Sequence, residues 1–362
     1  MRVLFVVTGV GLGDSVRVDT IINEFRRDNP KNKFLIAAYA NSYDYFKDKY
    51  PTINITGYRI PGKGMRFRVL PFLFKNIILP FAWFFTALGL KRQVKKFNPD
   101  VVVSDFEPTG VVLAKLVKKP CIMLFGFDPM MYKRFKSENK VSAIMAMQAK
   151  YLEKVYAQGK YVVIPTLLGV KRRSLIYTYI NPICKSKPEG LASKRALMKS
   201  LGVKEEIILV MLGGSDFGIK LLEHLQGVAR QFPKEKFIVF GTKKLTVPMS
   251  NVSHYTYKDN VDEYMKISKG VITLGGELSL SEAVAFRKPM LIYPIQDHVE
   301  QVLNAYTLKG VAMVRYNTDN FRDDVRSFLR NLKGYQAKMG ELNVKPKGAE
   351  EFVRFVKTLL EP

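Results

Sequence analysis

The chain has 362 residues, too many for one ordinary hydrophobic core and about right for two domains of Rossmann size. Hydrophobic residues make up 47% and charged residues 25%, which excludes an intrinsically disordered chain. A formal charge of +26 exceeds what a soluble metabolic enzyme needs; it concentrates polyanions such as nucleic acid, anionic lipid or phosphorylated substrates, although a generally basic proteome would leave the same mark. Only two cysteines occur, Cys121 and Cys184, far apart, and the three histidines are scattered. Zinc sites and a disulfide framework are not expected, and a reducing cytoplasm is the simplest compartment.

The first residues, MRVLFVVTGVGLG, hold an apolar run too short for an exported leader; it breaks into glycines and a polar helix near Asp14. Val3 to Val7, Phe34 to Ala38, Val101 to Ser104 and Cys121 to Phe125 read as strands buried on both faces. Helical patterns lie between them, as at Ser15 to Arg27 and Gly110 to Lys118. Alternation of this kind predicts a parallel sheet with helices on both sides.

Val69 to Leu90 breaks the pattern, being almost wholly apolar and aromatic, with Lys75, Pro71 and Pro80 inside it. Lys63, Arg66 and Arg68 precede it, and Lys91, Arg92, Lys95 and Lys96 follow. Apolar side chains bracketed by cations suit shallow insertion into an anionic leaflet, so residues 63–96 are expected to associate with a membrane. A buried crossover helix pair and a true span are the alternatives.

From Pro165 to Ser200 the chain reads as irregular and basic, with Lys171, Arg172 and Arg173 and then Asn181-Pro182. A second strand series follows at Ile207 to Leu212, Phe237 to Phe240, Val271 to Leu274, Met290 to Tyr293 and Val311 to Val314, and Ala349 to Leu360 closes as an amphipathic helix. The expected division is a domain over residues 1–168, a second over 169–345, and a final helix over 346–362 that can pack on either half.

Chemistry concentrates in the second half. Leu274 ends a strand, Gly275 and Gly276 let the backbone approach a ligand, and a helix is expected from about Ser279. Free N–H groups and the dipole at such a helix start face a phosphate or diphosphate. Glu282 can reach vicinal ribose hydroxyls, and Glu300 with Gln301 can grip sugar hydroxyls. Ser279-x-x-Glu282 is equally a capping box that needs no ligand. Upstream, Gly213-Gly214-Ser215 follows the strand at Ile207.

Near the N-terminus, Gly9-Val10-Gly11-Leu12-Gly13-Asp14 is not GxGxxG, and no acidic residue closes the second strand, so dinucleotide binding is disfavoured. Asp14 is either a base in a dry cleft or an N-cap for a helix beginning at Ser15. Ser104-Asp105-Phe106-Glu107-Pro108 stands at the carboxyl end of a strand, where open α/β sheets bind ligands, or else caps a helix before Thr109. Arg17 either meets a phosphate or acidic partner or is solvated.

The run from Gly275 through Glu282-Ala283, Lys288-Pro289, Glu300-Gln301 and Asn304-Ala305 resembles the donor signature of GT-B glycosyltransferases, especially the MurG-like family 28 enzymes and the UDP-glucuronosyltransferases. The resemblance implies an α/β GT-B architecture, two Rossmann-like domains facing each other across a cleft, with a nucleotide-sugar donor, most simply a UDP-sugar, on the second. It implies that Glu282 binds the ribose, that Ser279 and Ser281 lie near the diphosphate, that Gly214 and Ser215, following Gly213, contact the donor phosphates, and that Glu300 and Gln301 hold the sugar. The loop holding Gly11 and Gly13 usually ends glycine-histidine in such enzymes; Asp14 stands there instead. Asp14 and Asp105 are the expected catalytic pair, with Arg17 and Glu107 on the acceptor side.

Inverting transfer to a lipid or lipid-linked acceptor at the cytoplasmic face of a membrane is expected, with no essential metal, no cofactor and no nucleic-acid partner. A nucleotide-sugar epimerase of the same fold and a noncatalytic sugar-nucleotide-binding subunit are the alternatives.

Overall fold

In the computed structural model, which describes residues 1–59, 64–156, 159–169, 176–241 and 248–361, the alternating apolar runs form two wholly parallel sheets. Lys63, Lys171, Arg172 and Arg173, noted in the sequence, lie outside the described residues. The first sheet comprises β1 (Arg2–Val7), β2 (Lys33–Ala38), β3 (Thr52–Asn54), β4 (Val101–Asp105), β5 (Cys121–Leu124), β6 (Tyr161–Pro165) and β7 (Tyr177–Ile180). Its spatial order is β3-β2-β1-β4-β5-β6-β7. The second comprises β8 (Ile207–Met211), β9 (Phe237–Phe240), β10 (Val252–Tyr255), β11 (Ser268–Thr273), β12 (Met290–Ile292) and β13 (Met313–Val314), in the order β10-β9-β8-β11-β12-β13.

The central strands are hydrophobic at successive positions because helices cover both faces. Val3, Phe5 and Val7 meet Val18, Ile21 and Phe25 of the helix Gly13–Asp28, while Leu4 and Val6 face Val111, Leu113 and Ala114 of the helix Pro108–Val117. Val103 pairs with Phe5 and Asp105 with Val7, so β4 delivers its last residue beside the loop that follows β1.

One boundary differs from the expected one, and the final helix takes one of its two expected places. The stretch after Pro165 contains β7, which pairs with β6 from Val162↔Tyr177 to Pro165↔Ile180, so the first domain extends past residue 168. Its alternating Tyr-Thr-Tyr-Ile pattern is too short, beside the basic run before it, to stand out in the sequence. The final helix, Gly348–Leu360, returns from the second domain to the first and buries Phe352, Val353 and Val356 against the Gly13–Asp28 side of the sheet. Glu351 fixes the return by accepting hydrogen bonds from the Asn181 backbone N–H at 2.8 Å and its side-chain amide at 2.7 Å.

The apolar segment forms two helices, Val69–Asn76 and Leu79–Phe97. The buried-crossover alternative does not hold: Leu70 is 80% exposed and Phe74 85%, and Ile77, Ile78, Phe81 and Phe85 are also exposed. Only Leu79, Ala87 and Val94 of the second helix are buried, the last two at 0% exposure against the Pro108–Val117 helix. By length and composition the pair as a whole could cross a bilayer. Just before it, the Phe67 N–H donates to the Gln296 carbonyl at 2.9 Å and the Gln296 N–H to the Met65 carbonyl at 2.8 Å. This strap inserts Met65 into the second domain's core.

Phe352→Ala would leave a cavity on the first domain from a helix encoded at the far end of the chain. A loss of roughly 3–5 kcal/mol in chemical denaturation is expected, as for other large-to-small core changes at fully buried aromatics.

Candidate active site

The strand order reverses between β1 and β4 in one sheet and between β8 and β11 in the other, and ligands of open parallel sheets bind at such points. Here the two reversal points face each other across a cleft of about 1060 Å³. The loops touch: a Cβ built on Gly214 would stand 3.3 Å from the Leu12 backbone nitrogen, and one on Gly13 would stand 3.8 Å from Cβ of Leu278.

Arg17 joins the two sides. It is 2% exposed, and its guanidinium meets three carboxylates. Nε donates to Asp105 at 3.0 Å and Nη2 to the other Asp105 oxygen at 2.5 Å, a bidentate fork. Nη2 also reaches Asp14 at 2.5 Å, and Nη1 reaches Glu277 of the second domain at 2.8 Å. The second Glu277 oxygen accepts from the Ser281 hydroxyl at 2.7 Å. Burial works against the charge on Arg17, but Asp105, Asp14 and Glu277 outweigh it and hold the group well above its usual range. Burial pushes the Asp105 carboxyl up to about 7 despite Arg17, with Asp14 and Glu277 adding to the rise. Burial raises Asp14 as well, with Arg17 opposing.

The structure separates the two acidic groups of the expected catalytic pair. Asp14 borders the cleft, whereas Asp105 is fully buried behind Arg17 and does not line it. Asp14 is not an N-cap, because its helix begins at Gly13 and has no side-chain cap; the carboxylate turns onto Arg17 instead. Glu107 is fully buried and also absent from the cleft wall. It caps the Pro108–Val117 helix by accepting from the Thr109 N–H at 3.2 Å and hydroxyl at 2.7 Å.

On the second-domain side, Gly213, Gly214 and Ser215 line the cleft, and Gly213 takes φ +70°, a left-handed turn that suits glycine. The helix after β11 starts at Glu277 with Gly276 as N-cap, two residues earlier than expected, and no capping box forms. Its first residues, Glu277, Leu278 and Ser279, therefore open onto the cleft. Ser281 does not: its side chain is fully buried beneath Glu277. Gly275 is required by packing rather than by a ligand, since a Cβ there would fall 2.5 Å from the Gln301 carbonyl oxygen. The Gln301 side-chain oxygen accepts from the N–H groups of Gly275 at 3.1 Å and Ile295 at 3.2 Å, so it holds the turn together. Asn304 donates to the Gly275 carbonyl at 3.0 Å, completing that brace.

Of the described carboxylates that line the cleft, two have no hydrogen-bond partner. Glu282 lines the cleft at 7% exposure; burial pushes it up to about 8, with Asp262 adding and Lys185 opposing. Glu300, half-buried in the first turn of the helix Val299–Thr307, is also pushed up to about 8, by withdrawal from water and then by Asp14.

Sequence reasoning missed Glu277 and His298. Glu277 occupies a helix start where an acidic residue is usually an ordinary favourable end charge, so only the fold reveals Arg17 opposite. His298 caps the helix Val299–Thr307, its Nδ1 accepting from the Gln301 N–H at 3.5 Å, and borders the cleft. Burial brings it down to about 4, which keeps the ring neutral at physiological pH. Beyond these groups the cleft continues along Phe72, Leu73, Ile77, Pro80 and Trp83 of the exposed helix pair.

The family model for glycosyl transferase family 1 matches residues 1–333. The chain belongs to that family. This glycosyltransferase is 23% identical over 344 residues to an uncharacterized glycosyltransferase of Methanosarcina acetivorans, covering 88% of this chain and 86% of that one. It is 22% identical over 317 residues to a UDP-N-acetylglucosamine–N-acetylmuramyl-(pentapeptide) pyrophosphoryl-undecaprenol N-acetylglucosamine transferase of Caldicellulosiruptor saccharolyticus, covering 80% and 83%. Among solved structures, the spinosyn forosaminyltransferase SpnP matches along the full length of both chains with a TM-score of 0.68 at 16% identity. MurG of Acinetobacter baumannii matches over 99% of both with 0.59 at 14%. Their shared fold is GT-B, as the paired sheets indicate. The family is one of sugar-transferring enzymes, the class to which the chain belongs.

Arg17→Met would strand Asp105 and Glu277 as buried charges. A loss of roughly 3–5 kcal/mol is expected in denaturant titration, with partial recovery when Asp105→Asn is added. An unchanged midpoint in the single variant would contradict the role given to the cluster.

Proposed function

We propose that this glycosyltransferase moves a sugar, with inversion, from a UDP-sugar to a lipid-linked acceptor at a membrane surface. One observation carries the reading: a single cleft runs from Glu282, Ser279 and the Gly213–Gly214 turn, past Asp14, to an exposed apolar helix pair. A polar end that suits a nucleoside diphosphate and an apolar end that suits a lipid are thus joined through one carboxylate-bearing throat.

In this scheme the ribose lies against Glu282, and the diphosphate meets the free N–H groups at the start of the helix Glu277–Ala285 together with the Gly214–Ser215 turn. Those same groups stabilise the departing nucleoside diphosphate as negative charge gathers on it. Asp14 takes the proton of the acceptor hydroxyl as that oxygen attacks the anomeric carbon from the face opposite the diphosphate. Burial makes Asp14 a stronger base than a solvated aspartate, and Arg17 keeps it from becoming permanently protonated. Asp105 positions Arg17. The scheme requires no metal, so transfer should persist in EDTA.

Packing supports a hairpin that lies on the leaflet. Ala87 and Val94 anchor one side of the second helix in the domain core, and carrying that helix across a bilayer would strip them out. Lys91, Arg92, Lys95 and Lys96 at its end suit an anionic, cytoplasmic surface. The named activity of the relative from Caldicellulosiruptor saccharolyticus, transfer to a pyrophosphoryl-undecaprenol substrate, supports the lipid-linked class.

Thermal-shift titration with UDP-sugars should raise the melting temperature of the wild type, and Glu282→Ala should abolish the rise without unfolding the protein. Asp14→Asn should retain that shift but lose transfer by about two to four orders of magnitude; undiminished turnover would remove Asp14 as the base. Phe74→Asp with Phe81→Asp should weaken sedimentation with anionic vesicles by roughly tenfold or more, given the apolar area each ring withdraws from water.

A further inference from the structure

Around Arg17 the carboxylates outnumber the cations bonded to them. Among the described residues Arg17 is the one cation hydrogen-bonded into that cluster, and Asp105 already matches its charge with two hydrogen bonds; Lys185 and Lys258 line the cleft away from it, bonded to the Asp259 carbonyl and the Tyr264 hydroxyl. Asp14 and Glu277 share the remaining guanidinium N–H directions. Glu300 completes the ring from the helix Val299–Thr307. Its carboxylate reaches across to the first domain, where Oε1 would lie 2.9 Å from a Cβ built on Gly126. Unlike Asp14, Asp105 and Glu277, it touches no cation among the described residues. A nucleoside-diphosphate sugar adds two further negative charges at the neighbouring helix start. Like charges gathered in a partly dry cleft cannot all remain ionised.

We propose that Glu300 enters the donor complex as a neutral carboxylic acid, donating a hydrogen bond, so that donor binding takes up a proton wherever free Glu300 is ionised, a fraction that grows towards one in alkaline solution. This rests on the donor site proposed above. The groups facing Glu300 account for the choice of residue. Asp14 and Arg17 lie on the first helix, Asp105 at the end of β4, and Glu277 on the donor-side helix; all three carboxylates are bonded to Arg17. The helices Pro129–Glu138 and Ala143–Tyr156, also packed against its own helix, place Arg134 and Glu138 beside Tyr306 at the far end and the uncharged Gln148 beside Val299. His298, two residues earlier at the helix N-cap, is held neutral by burial. Glu282 and Glu300 both lack a hydrogen-bond partner among the described residues, and Glu300, the one beside Asp14, Asp105 and Glu277 with only Arg17 opposing them, takes the proton. Free Glu300 already titrates near 8, and the diphosphate moves it further the same way.

Binding of UDP-N-acetylglucosamine, whose phosphate diesters do not titrate in this range, is the test. With a free-enzyme value of about 8, the dissociation constant should rise about tenfold between pH 7 and pH 9. Calorimetry at pH 8.5 in buffers of different ionisation enthalpy should show net uptake of roughly three-quarters of a proton. Glu300→Gln, neutral at every pH, should flatten the profile, abolish the uptake and bind more tightly than wild type at pH 9. A flat wild-type profile, or a slope that persists in Glu300→Gln, overturns the assignment while leaving the donor site standing. If the wild type shows no binding at any pH, the donor site itself falls, and this inference falls with it.

Discussion

A guanidinium buried between two domains organises this molecule. Arg17 can stay charged out of water only because Asp105, Asp14 and Glu277 surround it, and those partners come from both halves of the chain. The two sheets must therefore meet with their reversal points opposed, which is also the arrangement that makes a cleft. The interaction selects geometry more than it adds stability, because desolvating four charged groups cancels much of their attraction. It leaves surplus negative charge where a phosphorylated substrate is expected, in a chain whose overall charge is strongly positive. The positive charge lies largely elsewhere, including the end of the exposed helix pair, and the acidic throat is local.

Much of the fold was legible because doubly covered parallel strands write themselves as unbroken β-branched runs. Val3 to Val7, Val101 to Ser104 and Phe237 to Phe240 fell within a residue of the observed strands. The missed strands, β3, β6, β7 and β10, are short edge strands or lie near an edge, where half-exposed tyrosines and polar residues dilute the signal. The run from Gly275 to Ala305 was legible as a motif, but individual roles inside it were not. Gly275 and Gln301 serve the brace between two helices, and Ser281 supports Glu277. Each matches a ligand-binding pattern equally well on paper, and only the three-dimensional path of the Val299–Thr307 helix distinguishes the uses. Glu277 went unseen because its partner is 260 positions away.

The exposed helix pair follows a similar logic. Hydropathy marked it as unusual but could not say which side faces the domain. Burial of Leu79, Ala87 and Val94 at intervals of eight and seven residues gives it one attached stripe, while Phe81, Phe84 and Phe85 stay exposed among the described residues. Trp83 and Pro80 stand where that surface turns into the cleft, so the apolar exterior and the cleft form one continuous wall.

The return of the last helix to the first domain has a consequence for how the polypeptide can be divided. Residues 348–360 complete the hydrophobic layer over β1 and the Gly13–Asp28 helix, so the amino-terminal half is not a contiguous stretch of sequence. A fragment cut after β7 would expose a greasy trough and should aggregate, whereas a circular permutant that joins the terminal helix directly to Met1 would make that half self-contained. The gene order and the physical subunits of the architecture are therefore offset by one helix.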